Sequence, residues 1–435
     1  MTEGRPGRAA LALGSAALVL SLCVLAWVGQ GDQTGNVAGF LLIYGLGFAA
    51  SLVAAQAGPG LSAGWLRGAL GLALAWRVVL AFAPPLLSND VNRHVWEGRI
   101  QLHGGNPYAW DDRPNAPRWA PLRDEVYAGL NHEGYTAVYP PLWQLAAAAV
   151  VWVRDSVTAM KLFLVACEAA ALWAMARLLH LRGQPPARLL LWAWSPLALV
   201  EIAGGGHNEA LGLLFVALAL LALQSGRPLL AALASALGFQ AKFLPGLLAV
   251  AWLRRFRPWH IGLAALAAGA LVWPYWEARK TLLLSLRKYA EFWQFNETLF
   301  APLEVLFGHS GAVRAGAGLA FLLACGLAWR NVEPVRAALL VTAAALLLGP
   351  NLLPWYALWL LPFVVLLEAP AALLFTGTVA LSYLVYPGWQ SGERWYLPWS
   401  VRALEYGPPA LILVLGRVGA QKTVDLRARP AVRSV

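Results

Sequence analysis

The run "AALALGSAALVLSLCVLAWV", residues 9–28, consists almost entirely of apolar and small residues. A helix rises about 1.5 Å per residue, so a run of this length extends about 30 Å, the thickness of a bilayer's hydrocarbon core. The run lacks a convincing small-x-small cleavage site, and many similar runs follow it. We therefore interpret it as a retained membrane span and not as a signal peptide.

Similar apolar runs recur along the whole chain of 435 residues, of which 59% are hydrophobic and 13% are charged. Soluble domains carry about 25% charged residues, so this composition excludes an ordinary soluble fold. Backbone groups in lipid must be hydrogen-bonded within the protein, which favours helices. The sequence predicts an all-α integral membrane protein, a polytopic bundle of roughly 12–14 transmembrane helices with a large first extracytoplasmic loop that contains short helices.

The formal net charge of +11 does not indicate a nucleic-acid partner, because Lys and Arg concentrate in short loops and near the termini. That distribution is typical of the cytoplasmic side of membrane proteins. Cys23, Cys167 and Cys325 lie far apart inside apolar runs, where cysteine usually serves as a small hydrophobic residue. We expect no metal and no cofactor, with membrane lipids as partners.

The basic segments indicate an orientation with both termini in the cytoplasm. Three spans then place residues 85–158 outside the cell membrane. This topology requires 141–153 to be a surface or re-entrant helix and 229–253 to be a hairpin of two short helices. The segments predicted to be cytoplasmic contain Arg5, Arg8, Arg182, Arg188, "RRFR" at 254–257, Lys422, Arg427, Arg429 and Arg433.

No internal repeat or low-complexity linker divides the chain. We predict one transmembrane domain over residues 1–417, with the extracytoplasmic loop 85–158 as its candidate catalytic region, and a basic cytoplasmic tail over 418–435. The other segments predicted to be outside are "GGGHNE" at 204–209, 276–298, 349–356 and 386–400.

The stretch "SNDVNRHVWEGRIQLHGGNPYAW" at 88–110 gathers charged, histidine and aromatic residues just after the third span. Asp90, Arg93, His94 and Glu97 have the spacing of one helix face. A carboxylate there is partly desolvated yet close to water, so Asp90 suits a general base for a hydroxyl nucleophile. Arg93, His94 and Glu97 are candidate substrate-binding residues, although the same spacing also fits a solvated helix with local ion pairs.

Tyr108 and Trp110 follow in "GGNPYAW" at 104–110, where glycine and proline favour a turn. Their rings predict either a platform on which a sugar stacks or interfacial anchors in the membrane. We retain Tyr108 as a candidate substrate-binding residue.

A second polar motif, "GGGHNEA" at 204–210, comes at the start of a span. His207, Asn208 and Glu209 are candidate substrate-binding residues. In the alternative interpretation, Asn208 caps the helix and Glu209 complements its dipole.

The loop at 276–298 carries Arg279, Lys280, Arg287 and Lys288 on a face that usually has few cations. Binding of a lipid phosphate explains such an exception. Arg287 and Lys288, and also Arg394 in the 386–400 segment, are therefore candidate substrate-binding residues.

Glu168 and Lys242 are ionisable residues within the apolar spans. Charges at such positions usually mark a pathway or a paired structural site. A contact between Glu168 and Lys242 is compatible with the sequence.

Five segments of the chain are similar, in the same order, to motifs of one enzyme family. They cover most of the chain from Asp90 to Phe363, and the ordered set is far more specific than any single motif. The segments are "NDVNRHVWEGRIQLHGGNPY" at 89–108, "YTAVYPPLWQ" at 135–144, "GGGHNEALGLL" at 204–214, "AKFLPGLL" at 241–248 and "NLLPWYALWLLPF" at 351–363. The chain thus resembles the GT-C superfamily of polyprenyl-phosphate-sugar-dependent glycosyltransferases, especially bacterial membrane mannosyltransferase-like proteins.

The resemblance implies a role for Asp90, because an acidic residue in the first large outer loop acts as catalytic base in that family. It implies transfer of a hexose, with mannose as the expected sugar, from a polyprenyl-phosphate donor to a glycan or lipid acceptor at the outer face, with inversion. The leaving prenyl phosphate carries growing negative charge that cations stabilise. The candidates for that role are the cluster of Arg279, Lys280, Arg287 and Lys288, or else Arg93 and Arg394.

Two other classes of function are compatible with a polytopic membrane protein. A transporter or lipid flippase for a polyprenyl-linked or other amphiphilic substrate usually has repeated halves and polar sites near the midplane of the membrane. The polar residues of interest here fall at one predicted face, which favours chemistry at that face. A non-catalytic partner in a membrane assembly is the third interpretation.

Overall fold

Proline residues decide where many of the apolar runs become helices. Proline has no N–H to lose in the first turn of a helix and its φ is already close to the helical value. The computed structural model describes residues 5–428, with side chains described for 7–415. Twenty α-helices occur in this part of the chain, and no β-strand does, which confirms the predicted all-α class.

Three long helices open the chain: α1 (Arg5–Gln30), α2 (Val37–Ala57) and α3 (Ala63–Phe82). The side chains of Asn36 and Ser62 cap α2 and α3 by accepting hydrogen bonds from backbone N–H groups of the first turn. α1 packs against both α2 and α3. The side chain of Arg5, one of the basic residues predicted to be cytoplasmic, lies outside the described residues.

The predicted outer loop folds into short helices. They are α4 (Asp90–Leu102), α5 (Glu125–Ala128) and α6 (Pro141–Val153). α4 packs along α6, and both helices contact α7 (Val157–Leu181). The short helix predicted at 141–153 is confirmed, and its position relative to the membrane stays a prediction.

The centre of the chain contains a broken helix. α8 (Leu190–Ala193) and α9 (Pro196–Ala198) lead into a π-helical segment, Leu199–Gly204, which precedes α10 (Glu209–Gln224). The two halves, 186–193 and 196–204, are bent by 51°. The bend coincides with Pro196, which cannot continue the hydrogen-bond ladder of the preceding helix.

The predicted hairpin at 229–253 is confirmed as two short helices, α11 (Pro228–Ala241) and α12 (Leu244–Ala251), which pack together. α13 (Pro258–Val272) and the amphipathic α14 (Leu284–Phe292) follow. The remaining helices are α15 (Phe300–Trp329), α16 (Pro334–Leu348), α17 (Leu361–Leu366), α18 (Pro370–Thr378), α19 (Val385–Gln390) and α20 (Trp399–Ala428).

The length of these helices bears on the predicted number of spans. Among the described residues, seven helices are long and apolar enough to cross a membrane, or eight with the bent pair, and five more apolar helices are shorter. The chain is thus a polytopic helical membrane protein. α20 continues to Ala428, past the predicted start of the tail at 418, and Arg429 and Arg433 lie outside the described residues.

Contacts between turns define one end of the bundle. Arg182 pairs with Glu333 at 2.9 Å, and Arg188 Nε donates to the carbonyl oxygen of Val365 at 2.7 Å. The basic "RRFR" segment lies at the same end, because Arg254 donates to the carbonyl oxygen of Trp329. The basic segments 182–188 and 254–257 are therefore neighbours, as a common cytoplasmic position requires.

The loops predicted to be outside meet at the site end of the bundle. The hydroxyl groups of Thr136 and Ser285 are hydrogen-bonded at 2.6 Å, so the 276–298 region contacts the loop that follows α3. The neighbouring Tyr275 donates to Gln101 at 2.6 Å. The hydroxyl of Tyr386 donates to the carbonyl oxygen of Leu87 at 2.5 Å. One end thus collects the segments that carry the candidate residues.

A buried ion pair connects the third long helix to the fourth. Arg77 Nε lies 2.6 Å from Glu168 Oε2 and Nη2 lies 2.7 Å from Oε1, with both side chains almost fully buried. Trp192 donates to the same carboxylate. The contact between Glu168 and Lys242 that the sequence allowed does not form, because Arg77 already occupies both carboxylate oxygens of Glu168.

We expect Arg77→Met to destabilise the protein by about 3–5 kcal/mol, since it leaves Glu168 buried without a counter-charge. The double variant Arg77→Met/Glu168→Leu removes both charges and is expected to recover most of that loss. Unfolding of the purified protein in detergent measures both. Equal destabilisation of the single and double variants would contradict a role based on charge compensation.

Candidate active site

Asp90 is the first residue of α4 and lies where the bundle meets the loop. Its side chain is partly exposed. The hydrogen bond that its carboxylate receives in the described structure comes from Asn131 Nδ2, at 3.3 Å from Oδ1. Free N–H groups at a helix N-terminus favour negative charge. Asp90 therefore presents a carboxylate to solvent at the site end of the bundle.

Arg93 holds the loop that faces Asp90. Its Nε lies 2.8 Å from Glu97 Oε1, and Gln144 donates to the other oxygen of Glu97 at 2.7 Å. The other nitrogens of Arg93 donate to the backbone oxygens of Asn131, His132, Tyr135 and Thr136. These contacts support the interpretation of local ion pairs on α4. A direct role of Arg93 and Glu97 in substrate binding stays a prediction.

His94 lies in the core instead of facing solvent. Its ring is 1% exposed and sits between Tyr139 and Trp143, with ring centroids 5.5 and 4.7 Å away. Burial lowers the pKa of His94 well below its usual value, and the positive charges of Lys242 and Arg93 lower it further. The buried position therefore disfavours the charged imidazolium, and the ring packs one helical turn from Asp90.

Tyr108 is buried, so its ring cannot form an exposed platform on which a sugar stacks. It is 1% exposed, its hydroxyl donates to the carbonyl oxygen of Tyr139, and its ring packs edge-on against Tyr275 at 5.1 Å. Trp110 is the exposed ring of this turn. The sequence could not distinguish the two because both are aromatic residues in the same turn.

Glycine brings the "GGGHNE" loop against the helix of Asp90. Gly206 has a φ of +74°, and a Cβ atom there would lie 2.7 Å from Val91 Cγ2. Only glycine satisfies both the left-handed backbone and the close approach. His207, the next residue, stacks on Trp355 at 4.0 Å, and its Nε2 lies 3.4 Å from Glu201 Oε2.

Asn208, Glu209 and Lys242 form a buried polar cluster. Lys242 Nζ lies 2.6 Å from both Asn208 Oδ1 and Glu209 Oε1 and 4.1 Å from the centre of the Tyr139 ring. Asn208 stands at the N-cap position of α10, but its side chain makes no capping hydrogen bond. The interpretation of Asn208 as a simple helix cap is therefore wrong.

The candidate cations differ in their surroundings. Lys288 Nζ lies over two aromatic rings, 4.8 Å from the centre of Trp110 and 5.3 Å from that of Tyr135. Arg287 and Arg394 are exposed. Within residues 7–415, no carboxylate oxygen lies within 4.0 Å of the cationic nitrogens of Lys288, Arg287 or Arg394, so their charges are available for a ligand.

The charges of Asp90 and Glu209 both affect two tyrosines of this region. The pKa of Tyr289 is raised to about 12 by burial and by the negative charges of Asp90 and Glu209, against the opposing hydrogen bond with Tyr356. The pKa of Tyr139 is raised well above its usual value by burial and then by the same two carboxylates. Asp90 and Glu209 therefore act on one shared region.

Sequence reasoning missed several residues of this region, including Asn131, Tyr139 and Tyr289. Tyr139 lies in "YTAVYPP", whose aromatic residues were indistinguishable from membrane anchors. Asn131 carried no signal, because its role depends on the fold of the loop. In the part of the chain that the structure describes, no group of three His, Cys, Asp or Glu side chains is placed to hold a metal ion.

Comparisons with known proteins identify the family of the chain. A family model described as alpha-(1->6)-mannopyranosyltransferase, N-terminal domain, matches residues 6–256. The chain is 30% identical over 217 residues to alpha-(1->6)-mannopyranosyltransferase A of Mycobacterium tuberculosis, which covers 45% of this chain and 40% of that relative. It is 28% identical over 151 residues to the protein of the same name from Corynebacterium glutamicum, covering 33% of this chain and 30% of that relative.

No solved structure matches the chain. The alignments span less than half the length of either curated relative. The family model, in contrast, covers more than half of the chain and includes Asp90, the "GGGHNE" loop and Lys242. The chain belongs to the alpha-(1->6)-mannopyranosyltransferase family.

Proposed function

We propose that the protein is a membrane glycosyltransferase that moves a hexose, mannose, from a polyprenyl-phosphate donor to a glycan or lipid acceptor. Transfer takes place at the outer face of the membrane and inverts the anomeric carbon. The proposal rests on the position of Asp90, whose partly exposed carboxylate lies at a helix N-terminus. The chain that carries it belongs to this family. The proposed partners are membrane lipids, the polyprenyl-linked donor and the acceptor.

Asp90 is the proposed general base. It takes the proton of the acceptor hydroxyl while that oxygen forms a bond to the anomeric carbon. The bond between the anomeric carbon and the phosphate oxygen breaks on the opposite side, which inverts the configuration. Polyprenyl phosphate leaves with the electron pair. The hydrogen bond from Asn131 supports this role because it orients the carboxylate.

Lys288 and Arg287 are the proposed cations for the leaving phosphate. The support is that their charges have no carboxylate partner in the described structure, whereas Arg93 is fully engaged with Glu97 and backbone oxygens. The rings around Lys288 hold its ammonium group near the loop without neutralising it. Arg394 is an exposed alternative on the neighbouring segment.

We expect Asp90→Asn to insert and fold normally but to lose mannosyl transfer by about 10²–10⁴-fold, the usual contribution of a general base. The measurement is turnover of purified protein with a polyprenyl-phosphate mannose donor. Asp111→Asn, an exposed carboxylate in the same loop, is the matched control and should keep full activity. Turnover like that of the wild type in Asp90→Asn would rule out the base assignment.

Neutralising both cations with Arg287→Gln/Lys288→Gln is expected to weaken donor use by more than tenfold. Charge-assisted hydrogen bonds to phosphate contribute about 1.5–3 kcal/mol each, and about 1.4 kcal/mol is a factor of ten. The assay uses neutral lipid, because anchoring to anionic headgroups would contribute about 1 kcal/mol per residue only in anionic membranes. Arg254→Gln/Arg255→Gln, exposed neighbouring cations at the opposite end of the bundle, is the control and should keep normal donor use. Normal donor use in the Arg287/Lys288 variant would transfer the role to Arg394.

The proposed topology has both termini in the cytoplasm and the site end outside. In a cysteine-free background, Glu133→Cys and Glu291→Cys should react with an impermeant thiol reagent in intact cells. Arg255→Cys, at the opposite end of the bundle, should react only after permeabilisation. All three positions are exposed. Labelling at 133 without labelling at 291 would show that the spans between them are miscounted.

A further inference from the structure

The buried cluster of Asn208, Glu209 and Lys242 has polar atoms that the protein does not use. Asn208 and Glu209 are 1% and 0% exposed. Among the described residues, Asn208 Nδ2 and Glu209 Oε2 have no hydrogen-bond partner, while Lys242 Nζ lies 2.6 Å from the other polar atom of Asn208 and from Glu209 Oε1. The cluster thus offers one free donor and one free acceptor on adjacent residues.

Buried polar atoms nearly always have a partner, since leaving one unpaired is costly. A neighbouring donor and acceptor suit a hydroxyl group, which both donates and accepts hydrogen bonds. Two hydroxyl groups on neighbouring carbons of a sugar ring would use both atoms. The unpaired atoms of Asn208 and Glu209 therefore fit a polyhydroxyl ligand.

The charge of the cluster excludes a phosphate as its natural ligand. Glu209 compensates the charge of Lys242 at 2.6 Å, so the pair has no net charge to attract an anion. Lys288 has no such carboxylate within residues 7–415 and rests on aromatic rings. The two lysines are therefore suited to different parts of one ligand, Lys242 to neutral hydroxyl groups and Lys288 to an anion.

Of the three residues, Lys242 provides the open side of the cluster. The side chain of Lys242 keeps 10% exposure, whereas that of Glu209 has none. The ring centre of Tyr139 lies 4.1 Å from Lys242 Nζ, and the same ring packs against His94, one helical turn after Asp90. Gly206, two residues before Asn208, packs against Val91, the neighbour of Asp90. The cluster therefore lies close to the first turn of α4, which carries Asp90.

We propose that Asn208, Glu209 and Lys242 form the subsite that binds the hydroxyl groups of the donor hexose, an inference that rests on the function proposed above. The sugar lies between this subsite and Asp90, with its phosphate directed to Lys288. Lys242 is a binding residue that the sequence did not assign to the substrate. It also holds the side chains of Asn208 and Glu209 in place.

The test compares two ligands in the Asp90→Asn background, which removes turnover. The probes are a mannosyl polyprenyl phosphate and the same polyprenyl phosphate without sugar. In the parent, the sugar-bearing lipid is expected to bind at least tenfold more tightly. In Glu209→Leu/Lys242→Met this advantage should disappear while binding of the sugar-free lipid changes less than twofold. Removing both charges of a buried pair commonly preserves folding.

The matched control is Arg182→Met/Glu333→Leu, an ion pair at the opposite end of the bundle, which should keep the ratio of the two affinities. If Glu209 and Lys242 had only a structural role, the variant would bind both ligands more weakly, and by a similar factor. If the Glu209/Lys242 variant still binds the sugar-bearing lipid more tightly than the sugar-free lipid, the proposal is overturned. The proposal is also overturned if the parent binds the two lipids equally well.

A second measurement needs no change in the cluster. Donor analogues that lack single hydroxyl groups are compared in the Asp90→Asn protein, and at least one should bind tenfold more weakly because polar atoms are left unpaired. Equal binding of all analogues overturns the proposal. Failure of the proposed base is separate, since it appears as full turnover in Asp90→Asn and leaves the ratio of binding affinities unaffected.

Discussion

Compensation of charge inside the helical bundle governs how this protein is assembled. Arg77 and Glu168 neutralise each other across two long helices, and Lys161 donates to the carbonyl oxygens of Leu80 and Ala83 at the end of α3. Each of these polar groups is removed from water and is stabilised by partners that are fixed in place, a counter-charge for Arg77 and carbonyl oxygens for Lys161. Both contacts connect α3 to α7, so they set the position from which the outer loop starts.

The loop itself is organised around one guanidinium group. Arg93 crosses from α4 to the chain segment at 131–136 and satisfies backbone oxygens that have no helix or strand to pair with. The same segment carries Asn131, which contacts Asp90. A substitution at Arg93 would therefore act on Asp90 through the loop. This makes Arg93 a positioning residue in the proposed mechanism.

Features of the fold that depend on residues close together in the sequence could be predicted from local patterns. The apolar runs, the helix that begins at Asp90 and the hairpin at 229–253 were all evident from periodicity, length and proline. Pairs of residues far apart in the sequence could not be predicted in this way. Arg77 and Glu168, for example, are 91 residues apart. Lys242 pairs with Glu209, although Glu168 is an equally acidic residue. Tyr108 was misjudged for the same reason, because its burial depends on Tyr275, which belongs to another loop.

The proposed site is divided along the chain at the boundary of the family match. Asp90, Asn208 and Lys242 lie within residues 6–256, whereas Lys288 and Trp355 lie beyond them. In the folded protein, Lys288 packs on Trp110 and Trp355 stacks on His207. In the proposed mechanism, the earlier part handles the proton and the sugar, and the later part handles the phosphate and its lipid. Under this proposal, recognition of the lipid carrier and the chemistry at the anomeric carbon depend on different parts of the chain.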